Sequence, residues 1–321
     1  MNIDNCTSVN FFVLAGLRIE DDFLVILFLI FLLLYIVALV ANLLIMIIPI
    51  FDPSLRTPMY FFLYNLAFLD ICYSSVVVPK MLTDFMAQKI ISFWGCMLQI
   101  HFFHSLGGTE VVLFSVMSYD RYVAIAHPLR YTTIMSDNVC LQLALCSWII
   151  GFFHGMLHTI MTARLPFCGP NIVEHFFCDI KPVLNLACTD VSLNLKTLFR
   201  VTGTFAITTL MLTIFFYVFI SKFLLKIKTS QGRRRALSTC SAHFIVVTLQ
   251  YGTAIFTYMR PSTKNSLAQD RAAAIMFSVI TPALNPLIYT LRNKDMKKAL
   301  KKLLKITNLA KICNIINHKN H

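Results

Sequence analysis

Asp120 and Arg121 stand side by side where a long apolar run gives way to the proline-broken basic segment His127-Pro128-Leu129-Arg130. Charge at the edge of a membrane span is costly, so it is read first as functional. The competing reading is an arginine that snorkels to anchor a helix end. Asp70 and Glu110 are the other costly acids, each set inside an apolar run. Two carboxylates at similar depth repel unless one is protonated or a cation bridges them. His101 and His104 are three apart and share a helix face. With no third ligand identified, hydrogen bonding suits them better than metal binding. No nucleophile, base and oxyanion set gathers at one depth, and no metal triad does, so an enzyme is not expected.

Long apolar helices must position these residues. The chain has 321 residues, 57% of them hydrophobic and 13% charged, with net charge +13. A soluble chain carries about twice that share of charge. The basic excess therefore points to a membrane surface rather than to nucleic acid. Seven spans of the required length run near Phe23–Pro49, Met59–Lys80, Gly95–Ala126, Val139–Ala163, Leu195–Leu225, Ala236–Met259 and Ala268–Leu291. The expected architecture is an all-α, seven-transmembrane bundle in a single domain. Residues 1–22 form an outer N-terminus, 23–291 the bundle and 292–321 a cytoplasmic tail.

With the N-terminus outside, 18 of the 28 Lys and Arg residues fall on the inner side, against four acids there (Asp52, Asp120, Asp137 and Asp295). That asymmetry is the positive-inside pattern and places the chain in the plasma membrane with its N-terminus extracellular. Asp4, Glu20, Asp21 and Asp22 stand where a signal peptide would be basic, so the first span is expected to be an uncleaved anchor. Asn5-Cys6-Thr7 is a glycosylation sequon on the outer side. Met296, Ala299, Leu300, Leu303 and Leu304 gather opposite lysines in the tail, the pattern of a short amphipathic eighth helix on the inner leaflet.

Cys96, Cys168, Cys178 and Cys188 fall on the outer side, where disulfides persist. Four cysteines allow three pairings. From Cys96 to Arg121 is 25 residues, roughly 37 Å of helix. The third span thus ties an outer cysteine to an inner charge, with Glu110 about 21 Å down.

Four motifs, in order, resemble one family: Leu55-Arg56-Thr57-Pro58-Met59-Tyr60-Phe61, Met117-Ser118-Tyr119-Asp120-Arg121-Tyr122, Arg235-Ala236-Leu237-Ser238-Thr239-Cys240-Ser241-Ala242-His243, and Pro282-Ala283-Leu284-Asn285-Pro286-Leu287-Ile288-Tyr289. Together they resemble an olfactory (odorant) receptor of the rhodopsin-like G-protein-coupled class, tetrapod type. Departures are small: Ala41 where the family has Gly, Ser118 and Ala126 where it has Ala and Cys, and Leu237 where it has Phe. The resemblance implies pairing of Cys96 with Cys178 and of Cys168 with Cys188. It implies a sodium ion between Asp70 and Glu110, with Asn42 and Asn285 as polar partners and no other cofactor. It makes Asp120, Arg121 and Tyr122 a switch that releases Arg121 toward Tyr217 and Tyr289 when a heterotrimeric G protein, the stimulatory olfactory type that raises cyclic AMP, docks beneath.

The ligand pocket is expected in the outer third. Phe103, His104, Gly107 and Gly108 face it from the third span, Gly203, Ala206, Ile207 and Leu210 from the fifth, and Tyr251, Ile255 and Tyr258 from the sixth. Ordinary interhelical packing explains the same residues, the two glycines included. No Asp lies in the outer half of the third span and no Lys lies within the seventh. An amine held by an ion pair and a retinal Schiff base are both disfavoured, and a small neutral organic molecule is expected. Other readings are a chemosensor of the same type outside the nose and, in another class, a small-solute transporter. The transporter should show repeated half-units and broken helices, which the sequence lacks.

Overall fold

The longest apolar run forms helix α1 (Asp21–Phe51). Phe31, Ala38, Asn42, Ile45 and Ile48 are its buried positions, while Leu29, Leu33, Ile36, Val40 and Leu43 are exposed. Helical spacing thus gives it one packed stripe and a wide apolar face turned outward, as lipid requires. The structure is a computed structural model and describes residues 9–17, 21–169, 171–226, 229, 240–253, 266–293 and 295–303.

Short polar signals punctuate the helices. Asp52 accepts from the Ser54 amide at 3.2 Å and its hydroxyl at 2.7 Å, capping the turn Pro53–Leu55. Helix α2 (Pro58–Met86) then starts on a proline, whose missing N–H costs nothing in a first turn. It runs past the expected end at Lys80 because Lys80 pairs with Asp84 one turn on. Ser92 accepts from the Gly95 amide at 3.1 Å and begins α3 (Phe93–Ala126). Then come α4 (Asp137–Ala163) and α5 (Ser192–Lys226), the latter with a π turn at Leu198–Thr202. Helix α6 covers 240–253, the described part of the expected sixth span. Helix α7 comprises Ser266–Ile275, a π turn at Met276–Ile280, and Thr281–Arg292, with Pro286 inside. Residues 295–303 are helical (α8). Among the described residues, six helices are long and apolar enough to cross a membrane.

Helix α3 is the central rod. Gly151 and Gly155 of α4 let it approach: a Cβ at Gly151 would fall 2.5 Å from the Ser105 carbonyl oxygen and 2.6 Å from the Thr109 amide nitrogen. On the other side, Ser115 donates to the Thr209 carbonyl of α5 at 3.0 Å. Asn42 ties α1 to α7, donating to the Pro282 carbonyl at 2.9 Å.

Beside the helices expected from the sequence, the structure holds a small three-stranded sheet that an all-α architecture does not include. Strand β1 (Phe11–Leu14) lies between β2 (Ile90–Ser92), antiparallel with Phe11 opposite Ser92, and β3 (Ile172–Val173), parallel with Val13 opposite Ile172. Phe12 and Leu14 alternate inward and are fully buried, Phe12 edge-on to Phe167 at 5.5 Å. Four residues of alternation are too short to stand out beside spans of 20 or more. The sheet caps the end of the bundle that carries Cys96 and the α4–α5 loop.

Candidate functional site

A cavity of ≈ 830 Å³ opens between α3, α4, α5, α6 and α7. Phe103, His104, Gly107, Gly108, Gly203, Ala206, Ile207, Leu210 and Tyr251 all line it. Ile255 and Tyr258 lie outside the described residues. The two glycines of α3 part company. A Cβ at Gly107 would meet the Tyr73 ring at an ordinary 3.7 Å, whereas one at Gly108 would stand 3.2 Å from Gly151 Cα. Gly107 therefore gives room to the cavity and Gly108 gives room to α4. Several lining residues went unread in the sequence, among them His154, Lys181, Arg200, Thr202, Gln250 and Phe277. A signal existed for His154: it sits four residues before His158 on one helix face.

The roof is held to α3. Cys96 is disulfide-bonded to Cys178. The Cys178 amide donates to Gln99 Oε1 at 2.8 Å. Asp179 Oδ1 lies 3.3 Å from His104 Nε2 and also takes the Ile180 amide at 2.7 Å. Burial would raise the Asp179 carboxyl, but its hydrogen bonds with His104 and the Ile180 amide and its electrostatic interaction with the nearby imidazoles outweigh burial and hold it below its ordinary value. His104, His154 and His158 pack ring to ring, and Thr202 Oγ1 stands 3.2 Å from His154 Nε2 and 3.0 Å from His158 Nε2. His101 leaves this group, turning edge-on to Phe152 at 5.1 Å. Among the described residues, no three His, Cys, Asp or Glu side chains are arranged to hold a metal ion.

The second expected disulfide is corrected. Cys188 is an exposed free thiol, and Cys168 is disulfide-bonded to a partner outside the described residues. Backbone register is the reason. Phe167 faces Ala187 in an antiparallel bridge, and the Cys188 amide donates to the Pro166 carbonyl at 2.9 Å. Cys168 and Cys188 are thus diagonal rather than opposite, a separation of about 7–8 Å that a disulfide does not span. Asn5 lies outside the described residues.

At the inner end of α3, Arg121 Nη2 is 3.1 Å from Asp120 Oδ2, and Tyr131 donates to Asp120 Oδ1 at 2.7 Å. Both members of the pair are buried. Tyr122 packs among Phe216, Phe219 and Phe223 of α5 and belongs to the packing around the pair. The Tyr217 hydroxyl lies 2.7 Å from His243 Nδ1, its ring stacked on the imidazole. It joins α5 to α6. Tyr289 is buried and its hydroxyl has no hydrogen-bond partner among the described residues.

Between these two regions Asp70 and Glu110 are each nearly fully buried. Asn285 Nδ2 bonds both Asp70 oxygens at 3.1 Å, and Gln250 Nε2 donates to Glu110. Asn285 Oδ1 and Gln250 Oε1 are buried oxygens with no hydrogen-bond partner among the described residues. Carboxylates beside orphaned amide oxygens form a donor set that suits a hard monovalent cation. Asn42 Nδ2 donates to the backbone carbonyls of Ala38 and Pro282, and its Oδ1 is likewise buried with no hydrogen-bond partner among the described residues.

A model of the olfactory receptor family matches residues 31–306. The chain is similar to olfactory receptor 12D1 of Homo sapiens, 51% identical over 303 residues, which cover 94% of this chain and 95% of that protein. It is similar to human olfactory receptor 12D2 at 50% identity, covering 94% and 99%. Mouse olfactory receptor 5G9 is 46% identical over 300 residues, covering 92% and 95%.

Proposed function

Because the chain belongs to the olfactory receptor family, a family of multi-pass membrane receptors rather than enzymes, we propose that it binds a small organic odorant in the ≈ 830 Å³ cavity and activates a heterotrimeric G protein. The G protein is of the stimulatory olfactory type, so the output is cyclic AMP. One observation carries this reading: a mostly apolar chamber under a disulfide-tethered roof lies along the same helix, α3, that carries the Asp120–Arg121 pair at its other end. A chamber of that size and lining suits a small apolar ligand. The N-terminus lies outside the plasma membrane, and α8 lies on the anionic inner leaflet through Lys297, Lys298, Lys301 and Lys302.

Ligand binding shifts α5 and α6, Arg121 leaves Asp120, and a helix of the G protein enters beneath it. Asp70, Glu110 and the oxygens of Asn285 and Gln250 would hold a sodium ion, which supplies positive charge between two acids and favours the resting arrangement. Arg121→Ala tests the switch in cells carrying a cyclic-AMP reporter and exposed to a panel of volatile odorants. The expected result is loss of every odorant response with receptor still stained at the cell surface. Undiminished cyclic AMP overturns the assignment.

A further inference from the structure

The chain has ten cysteines. Cys96 and Cys178 bond each other, and Cys72, Cys140, Cys146, Cys188 and Cys240 are free thiols. Cys168 is disulfide-bonded, and two cysteines are left to be its partner, Cys6 and Cys313. The fold decides between them. Helix α8, which precedes Cys313, sits where α2 begins: Asn293 donates to the Tyr60 hydroxyl at 2.8 Å, and Lys302 lies 3.9 Å from Asp52. Cys168 sits where α2 ends, in one cavity wall with Ser92 of β2 and Phe93 of α3. The 29 residues of α2 hold these two ends about 43 Å apart. From Leu303 to Cys313 is ten residues, at most roughly 33–36 Å when fully extended. Such a segment would also have to cross the bilayer with its backbone unpaired. Cys313 is therefore out of reach.

Cys6 stands at the right end of the bundle. Val9 and Asn10 line the same ≈ 420 Å³ cavity as Cys168. Val9 also packs on the apolar cluster that holds Phe167, the neighbour of Cys168. Three residues of chain separate Val9 from Cys6, a reach of about 10–11 Å. A disulfide bridges a further 4–7 Å or so between Cα atoms. We infer that Cys6 and Cys168 form a second disulfide, which fastens strand β1 to the α4–α5 loop that roofs the ligand cavity. Strand β1 already follows that loop by hydrogen bonds. The Val13 amide donates to the Asn171 carbonyl at 2.8 Å, the Ala15 amide to the Val173 carbonyl at 2.8 Å, and the Gly16 amide to the His175 carbonyl at 3.2 Å. The covalent link makes the N-terminal strand a permanent part of the roof, where a bond from Cys168 to Cys188 would only close the loop on itself. Making the bond takes two electrons and two protons from the two thiols. A disulfide of a thiol oxidoreductase in the secretory compartment accepts them and becomes a dithiol. The Cys96–Cys178 bond marks this end as the oxidising side. With Cys6 counted, five cysteines lie there, and Cys188 is the odd thiol left free.

The test maps disulfides by mass spectrometry in the full chain, made through the secretory pathway, alkylated without reductant and deglycosylated. Trypsin with a glutamyl endopeptidase leaves Cys6 alone on peptide 1–18 and Cys168 alone on 165–174. Peptide 90–110 carries Cys96, 175–196 carries Cys178 and Cys188, and 312–319 carries Cys313. The expected map joins 1–18 to 165–174, beside an internal control that joins 90–110 to 175–196. The first pair should vanish on reduction and in Cys6→Ser, while Cys188→Ser should keep it. The inference is overturned if 165–174 is joined to 175–196, to 312–319 or to a second 165–174, or is recovered alkylated. The parent map needs no variant to fold. The fastening is read separately, by hydrogen exchange in lipid nanodiscs. Protection of the Val13, Leu14 and Ala15 amides should be lost in Cys6→Ser and kept in Cys188→Ser. Protection in Cys6→Ser equal to the parent's overturns the claim that the bond holds β1 to the roof.

Discussion

Substitutions at two glycines separate the cavity from the packing that frames it. At Gly107 a Cβ meets only Tyr73 ring atoms at 3.7 Å, so Gly107→Ala clashes with nothing. It removes the helix penalty of glycine and should be neutral or stabilising by up to about 1 kcal/mol. Gly107→Leu places an isobutyl group in the chamber and displaces three or so methylenes of any ligand. At about 0.8 kcal/mol each, that is roughly 2–3 kcal/mol, one to two orders of magnitude in half-effective concentration. Gly151→Ala is the converse. Its Cβ would lie 2.5 Å from the Ser105 carbonyl oxygen, about 1 Å inside ordinary contact. Neighbouring backbone cannot swing aside as a side chain can, so α3 and α4 must part. Overpacking of that kind costs about 1–3 kcal/mol, against a helix gain of about 1. Thermal unfolding in nanodiscs reads the stability, and cyclic-AMP dose response to any odorant active on the parent reads the binding. The reasoning fails if Gly107→Leu responds at the parent's concentration, or if Gly151→Ala melts with the parent while Gly107→Ala melts lower.

Further outcomes test other contacts. Cys96→Ser should lower stability by about 2–5 kcal/mol, since it opens a link across 82 residues. Cys188→Ser should leave the melting curve unchanged, and an equal loss in both would restore the diagonal pairing. Tyr131→Phe removes the donor at 2.7 Å from Asp120, a bond to a charged group worth about 1.5–3 kcal/mol. Basal cyclic AMP is expected to rise, and an unchanged baseline would show that Tyr131 does not hold the pair. Glu110→Gln should flatten the sodium dependence of activation, and salt titrations that overlay the parent's would remove the ion. His175, in the roof, is pushed down to about 4 by burial first and by the charge of Arg271, against the opposing pull of Asp179. A histidine that stays neutral when folded stabilises fully above its unfolded value, about 6.5. That contribution, on the order of 3 kcal/mol, is lost as pH falls toward 4. Amide protection factors across 172–179, taken relative to the intrinsic exchange rate at each pH, should therefore fall between pH 7 and pH 5 and do so less in His175→Phe. Identical profiles would refute it.

What the residues announced in advance was set by cost. Asp70, Glu110, Asp120 and Arg121 are expensive in lipid wherever they sit, so burial and pairing were foreseeable from an apolar context alone. The faces of α3, α5 and α6 followed from helical spacing, which brought Phe103, Gly107, Ala206 and Tyr251 to one chamber. Other features depended on register and long-range docking, which carry no local signal. Lys181 reaches the chamber only because Cys178 and Asp179 fasten the loop over α3. Tyr217 bonds His243, 26 residues away in sequence. Phe12 and Leu14 became a strand because two loops offered it edges.

The contacts of α6 bear on how a ligand would reach Arg121. Beside the chamber, Gln250 donates to Glu110, and the Tyr251 hydroxyl reaches the Val111 carbonyl at 3.3 Å, so α6 is tied to α3 there. Two turns lower, His243 is tied to Tyr217 of α5. Gln250 and Tyr251 line the cavity, so a ligand competes directly for the upper ties, while the lower tie has no access to it. Loosening the upper ties lets α6 tilt about the lower one, and the inner part of α6 then moves opposite to the outer part. On this geometry Gln250→Leu, which leaves Glu110 without its donor, should raise basal cyclic AMP and weaken the response to ligand together. His243→Phe keeps the ring and removes the bond to Tyr217, so it should raise basal activity with ligand potency little changed. Equal shifts in potency for the two variants would show that α6 does not pivot between the ties but moves as a single piece.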